Sequence, residues 1–115
     1  VKVSGHPLRG CWGQYCTQCT GNYLCPSSPY NGPSKNDRSY RLDNQLGTVC
    51  SHGCVRLTVA DAKWIYDNCP LGTTVSIYNA SSLPVPKPAA PWLDISSPNR
   101  GWDPTDPDPA NPWNK

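Results

Sequence analysis

Ser51-His52-Gly53-Cys54-Val55-Arg56-Leu57, running directly into Thr58-Val59-Ala60-Asp61-Ala62-Lys63-Trp64-Ile65-Tyr66-Asp67-Asn68, is the stretch that decides how this chain is read. The heptapeptide sets a cysteine behind a glycine, two residues from a histidine, with an arginine close behind. A thiol is a useful nucleophile only to the extent that a base or a positive field makes it a thiolate. Glycine lets a backbone amide come close to a reacting carbonyl, where it can stabilise an oxyanion. A nucleophile, a polar neighbour and an oxyanion-binding backbone in one heptapeptide predict cysteine-based acyl transfer.

Outward on the C-terminal side, Val59, Ala62, Ile65, Tyr66 and Cys69 recur at helical spacing. Thr58 is the expected N-cap, with Asp61 favourable in the first turn. Pro70 and Gly72 end the helix, and the β-branched run Thr73 to Tyr78 reads as a strand. The heptapeptide thus precedes a helix N-terminus, which is expected to favour both a thiolate and an oxyanion. On the other side, Val1 to Ser4, Tyr15 to Cys19 and Tyr23 to Cys25 read as short strands, the last two separated by a Thr20-Gly21-Asn22 turn. Residues 26–40 read as a long surface loop of the kind that serves as a lid or binding segment. Residues 84–115 hold most of the 14 prolines, with Trp92, Trp102 and Trp113 among them, and are expected to be extended and partly polyproline-like.

The 115 residues make one domain at most, with a modest core. A net charge of +2 with 16% charged residues forms no basic stripe and argues against a nucleic-acid partner. No stretch approaches the ~18 apolar residues of a membrane span. The chain contains no Met, so it is expected to be a processed chain or a fragment. Seven cysteines suit an oxidising compartment, and their odd number leaves a thiol over, for which Cys54 is the choice.

Ser-His-Gly-Cys-Val-Arg-Leu resembles the signature of the L,D-transpeptidases, the YkuD-like enzymes of bacterial cell walls. The resemblance continues through Thr58 to Asn68 and Gly72-Thr73-Thr74-Val75, and upstream takes in Gly13 to Gln18, Gly21-Asn22-Tyr23-Leu24 and Leu46-Gly47, covering about residues 10–79. It implies a mainly β domain with one principal α-helix: residues 1–80 as a partial, truncated β-sandwich-like catalytic domain and 81–115 as an extended Pro/Trp-containing tail. Several strands that ordinarily precede the Gly-Gln-Tyr segment are missing, which would leave sheet edges exposed. Disulfides, typically ~2–4 kcal/mol each, are an expected compensation.

The implied reaction is a two-step acyl transfer on peptidoglycan stem peptides. A cysteine attacks the carbonyl of the third residue and expels a terminal D-residue. A neighbouring stem's amine then resolves the thioester as a 3–3 crosslink. By resemblance Cys54 is the nucleophile, the Gly53 and Cys54 amides serve the oxyanion, and His52 shapes the site. Ser51, Arg56, Ser27 and Tyr30 are carried over as substrate-binding residues. No metal or organic cofactor is implied, the partner is peptidoglycan, and the location is extracellular, at the cell wall.

One departure stands out. The family's upstream His-Ser pair, followed by Pro and an aromatic, corresponds here to Pro26-Ser27-Ser28-Pro29-Tyr30, so Pro26 occupies the place of the basic histidine. The remaining histidines are His6 and His52. Weak activity is the expectation, and a non-catalytic peptidoglycan-binding module on the same scaffold is the alternative. A separate reading takes Cys11, Cys16 and Cys19, spaced C-x₄-C-x₂-C, as an iron–sulfur or zinc loop with Cys50 as a fourth ligand. Cys69, Cys16, Trp64 and Tyr66 read as packing residues, and Cys25 as a bridge partner of unassigned mate.

Overall fold

The computed structural model describes residues 2–3, 6–8, 11–20, 23–39, 45–46, 53–82, 84–86, 94 and 96–114. Strand β1 (Lys2–Val3) pairs with β4 (Cys16–Thr20), which pairs with β5 (Tyr23–Cys25), all antiparallel in the order β1-β4-β5. A second antiparallel pair joins β2 (His6–Leu8) to β3 (Cys11–Gly13). The β4–β5 register shifts between Gln18 and Thr20, so Cys19 sits in the irregularity and bonds to Cys25 across the hairpin. The Thr20-Gly21-Asn22 turn lies partly outside the described residues. Pro7 and Gly13 are the reason β2 and β3 are not legible as strands: both residues ordinarily weaken a ladder.

Among the described residues there is one α-helix, α1 (Val59–Asn68). Thr58 caps it as expected, its Oγ1 accepting from Asp61 N at 3.1 Å. Val59 and Ala62 are buried, while Ile65, Tyr66 and Cys69 are half-buried, so the apolar stripe packs on β4. Tyr66 meets Tyr15 edge-to-face at 5.6 Å, and the Lys63 ammonium lies 5.8 Å from the centre of the same Tyr15 ring. Trp64 differs from expectation, being 62% exposed rather than packed.

Thr73 to Tyr78 does not form a strand; Val75, Ile77 and Tyr78 are exposed and the segment has no ladder partner among the described residues. A β-branched run needs a neighbour to become a strand, and none is in place among the described residues.

The C-terminal segment also departs from expectation. Residues 96–114 are a succession of turns packed on the domain, not an extended tail. The physical reason is the Asx-Pro-X pattern. Asp103 accepts from Thr105 N, Asp106 from Asp108 N, Asp108 from Ala110 N and Asn111 from Trp113 N, at 2.8–3.2 Å. Each is an Asx turn, with proline presetting the middle residue. A short 3-10 turn, Pro112–Asn114, closes the series.

The segment carries its own buried polar core. Arg38 and Asp103, both 1% exposed at the side chain, pair at 3.3 Å, and Arg38 Nη2 donates to Trp102 O at 2.8 Å. Asn111 Nδ2 donates to the carbonyls of Asp103 and Asp106. Gly101 lets this segment approach residues 36–38, because a Cβ there would lie 1.9 Å from Asn36 O. Residues 26–40 are therefore not simply a surface loop: 26–30 and Arg38 are buried.

Candidate active site

Residues 54–57 run parallel to Leu24–Ser28. Val55 N donates to Leu24 O at 3.0 Å, Leu57 N to Pro26 O at 3.0 Å and Ser28 N to Leu57 O at 2.9 Å. This sets Cys25 level with Val55 and Ser27 level with Leu57, the latter a parallel bridge. A regular parallel ladder would complete the set with an N–H from residue 26 to Val55 O. Pro26 has no N–H, so that rung is absent. Side chains alternate along such a pair, which puts positions 24 and 26 on the same face as Cys54 and Arg56. Pro26, itself fully buried, thus stands on the adjoining chain beside the cysteine.

Cys54 is half-buried and remains a thiol, as do Cys16 and Cys69. Cys54 is therefore not the sole thiol, in contrast to the sequence expectation. Gly53 has φ 134°, and a Cβ on it would lie 2.3 Å from Cε1 of Tyr23. The glycine is required both by backbone and by contact. Tyr23, 52% exposed, presses on the backbone just before Cys54 and has no role in the sequence reading. Its place follows from the β5 register, which only the fold supplies.

Ser51 and His52 lie outside the described residues, as do Cys50 and the histidine-bearing side chain of position 6. Ser27 and Tyr30 are placed in the interior. Ser27 Oγ accepts from Gln14 N at 2.8 Å, and Tyr30 Oη accepts from Gln14 Nε2 at 2.8 Å. Burial, then the nearby Asp103 and Asp106 carboxylates, push the Tyr30 phenol well above its ordinary range. Both residues have structural partners and give a substrate no exposed surface. Arg56 is half-buried, with Nη1 out of solvent and without a hydrogen-bond partner.

The helix N-terminus does not serve the cysteine. Val59 N donates to Asp103 Oδ2 and Ala60 N to Thr105 Oγ1, each at 3.1 Å, while Asp61 N is taken by Thr58. The anion stabilised there is Asp103. The metal-loop reading also loses a ligand, since Cys19 is bonded to Cys25.

Residues 29–77 match the model of the YkuD L,D-transpeptidase catalytic domain. The segment takes in the signature cysteine, the capped helix and the unpaired β-branched run. Among curated proteins, YciB of Bacillus subtilis (strain 168), named as an L,D-transpeptidase, is 61% identical over 58 residues, covering 50% of this chain and 28% of its own length. ErfK/SrfK of Escherichia coli (strain K12), likewise named, is 35% identical over 54 residues, 46% of this chain and 17% of its own. The chain therefore spans less than a third of either relative. No solved structure matches it. Among the described residues no helix is long and apolar enough to cross a membrane.

Proposed function

We propose that this chain is a peptidoglycan-directed cysteine acyltransferase of the L,D-transpeptidase type, built on a β-sandwich-like scaffold and working at the cell envelope. The observation that carries the reading is Cys54: a half-buried thiol in the family signature, behind a glycine held in a left-handed conformation, on a segment fixed by three backbone hydrogen bonds to residues 24–28. In this reading the Cys54 thiol adds to the carbonyl of the stem's third residue, and backbone amides near Gly53 and Cys54 hold the developing oxyanion. The C–N bond to the terminal D-residue breaks, and the thiol's proton ends on the leaving amine. An acceptor amine then displaces the sulfur.

Pro26 favours a second reading, a peptidoglycan-binding module without turnover. A general base contributes ~10²–10⁴-fold, and proline cannot act as one. Cysteine tolerates that loss better than other nucleophiles, because a few per cent is thiolate near neutral pH. Slow turnover is therefore the expected behaviour.

Intact mass before and after incubation with a carbapenem, and then with stem tetrapeptide, separates the two readings. An adduct mapped to Cys54 and absent from Cys54→Ala is the expected outcome. Folded protein that binds stem peptide but stays unmodified, with Cys54 reduced, would establish the binding module instead.

A further inference from the structure

The turn that follows Tyr30 gathers three residues that acyl transfer by Cys54 does not use. Of the chain's asparagines, only Asn31 precedes a glycine. Asn31 is exposed and lies in a bend outside every strand. Its backbone N–H donates to Asp37 O at 2.9 Å, and Asp37 N donates to Ser34 O at 3.2 Å, so the chain folds Asp37 back onto the Asn-Gly pair.

The Asp37 carboxylate straddles that pair. Oδ1 accepts from Asn31 Nδ2 at 3.2 Å. Oδ2 lies 3.3 Å from where a Cβ on Gly32 would stand, so it faces the glycine, and any side chain there would crowd it. The Gly32 N–H makes no hydrogen bond among the described residues. Glycine also leaves its backbone the freedom to turn that nitrogen onto the preceding side chain. One carboxylate thus touches the side-chain nitrogen that could leave and borders the residue whose nitrogen could replace it.

We propose that Asn31-Gly32 is a self-modifying site, at which the Gly32 nitrogen displaces the Asn31 side-chain nitrogen while Asp37 moves the proton. The Gly32 nitrogen adds to Asn31 Cγ, and the new N–Cγ bond closes a cyclic imide. Asp37 takes the proton from the Gly32 nitrogen and delivers it to Nδ2. The Cγ–Nδ2 bond breaks and ammonia leaves. Water then opens the imide at either carbonyl, which leaves an aspartate or an isoaspartate at position 31. One water is consumed and one ammonia released, with no oxidant, reductant or cofactor. The product replaces a hydrogen-bond donor to Asp37 by a second carboxylate, and like charges at such a separation repel. The altered turn joins Tyr30 to Arg38, which pairs with Asp103, so the modification works on the attachment of the C-terminal turns. None of this depends on what Cys54 does.

The test incubates the full chain in neutral buffer at physiological temperature and follows position 31 by peptide mapping. Conversion shows as a gain of one mass unit, and isoaspartate as a substrate for isoaspartate methyltransferase. The reference is a synthetic peptide of residues 28–35, which holds Asn31 and Gly32 without Asp37. Because Asp37 is exposed, its expected effect is roughly 10-fold, below the ~10²–10⁴-fold of a base in an enclosed active site. The folded chain is therefore expected to convert about that much faster than both the peptide and Asp37→Asn. Gly32→Ala is expected to slow conversion in the chain. An Asn31 that stays intact in the folded chain, a rate no higher than the peptide's, or a rate that Asp37→Asn leaves unchanged or raises would each overturn the proposal. The comparison with the peptide needs no substitution, so it decides even where Asp37→Asn fails to fold.

Discussion

Position 26 combines two losses in one residue: on the proposed reading, the basic imidazole, and a backbone N–H that a regular ladder to Val55 would use. Pro26→His addresses both, and magnitudes indicate which readout to use. A regained hydrogen bond is worth about 0.5–1.5 kcal/mol, while loss of proline's restraint on the unfolded chain costs about 0.4–1 kcal/mol. The two nearly cancel, so the urea midpoint is expected to stay close to that of the parent. The rate of Cys54 acylation by stem peptide is expected to rise ~10²–10⁴-fold. A stability gain with no change in rate would make position 26 purely structural. Gly53→Ala is expected to lose roughly 1–3 kcal/mol in chemical denaturation, from strain at φ 134° and collision with the Tyr23 ring. Adding Tyr23→Ala relieves only the collision, and complete recovery would show that φ is not the constraint. At this scale Pro26 was plain in the sequence, because a motif position is local. The missing rung and Tyr23 were not legible, since both depend on how residues 23–28 align with 53–57.

Helix α1 shows how a local signal and a distant one share a single element. Thr58 caps Asp61 three residues away, and that spacing is visible in the sequence. Asp103, which takes the N–H of Val59, is 44 residues off and was hidden within a proline-rich run. Reading those prolines as extended chain overlooked the Asp or Asn in front of them, whose carboxyl or amide oxygen makes the turn. Thr58→Ala is expected to cost about 1 kcal/mol. Asp103→Ala removes a helix partner and strands the buried Arg38 charge, so about 3–5 kcal/mol is expected. Comparable losses for the two variants in urea titrations would mean that Asp103 contributes no more than an ordinary cap. The strand expected at Thr73 to Tyr78 failed for the converse reason: its local pattern is sound, but pairing needs a second chain segment.

Over the whole molecule, the C-terminal turns tie together regions that are remote in sequence. Lys35 pairs with Asp108 at 2.6 Å, Arg38 with Asp103, Gln14 Nε2 with Asp106 at 3.5 Å, and the helix with Asp103 and Thr105. The Lys35 hydrogen bond, then the Ala110 N–H, hold the Asp108 carboxyl below its ordinary range, and the same bond raises Lys35. A depressed carboxyl stabilises the fold above its unfolded value of roughly 3.9, and that contribution is lost as pH falls through the lower folded value. A raised lysine contributes below roughly 10.4 and loses its contribution as pH rises through the higher folded value. The Tm difference between the parent and Asp108→Asn is therefore expected to be level from about pH 5 to 9 and to vanish in stronger acid. A difference unchanged down to pH 2 would remove the ion pair from the account.

By contrast, residues 70–86 carry no charge at all and leave Leu71, Val75, Ile77, Tyr78 and Val85 exposed, so nothing of this clamp reaches them. The clamp also sets an order of events during translation. A growing chain releases the signature and the helix long before Asp103 and Thr105 emerge, and until then the first helical N–H groups have only Thr58 to satisfy them. The neighbourhood of Cys54 is thus held by residues made later than itself, and a nascent chain stalled between 69 and 103 would present Cys54 on a helix start that has not yet been sealed.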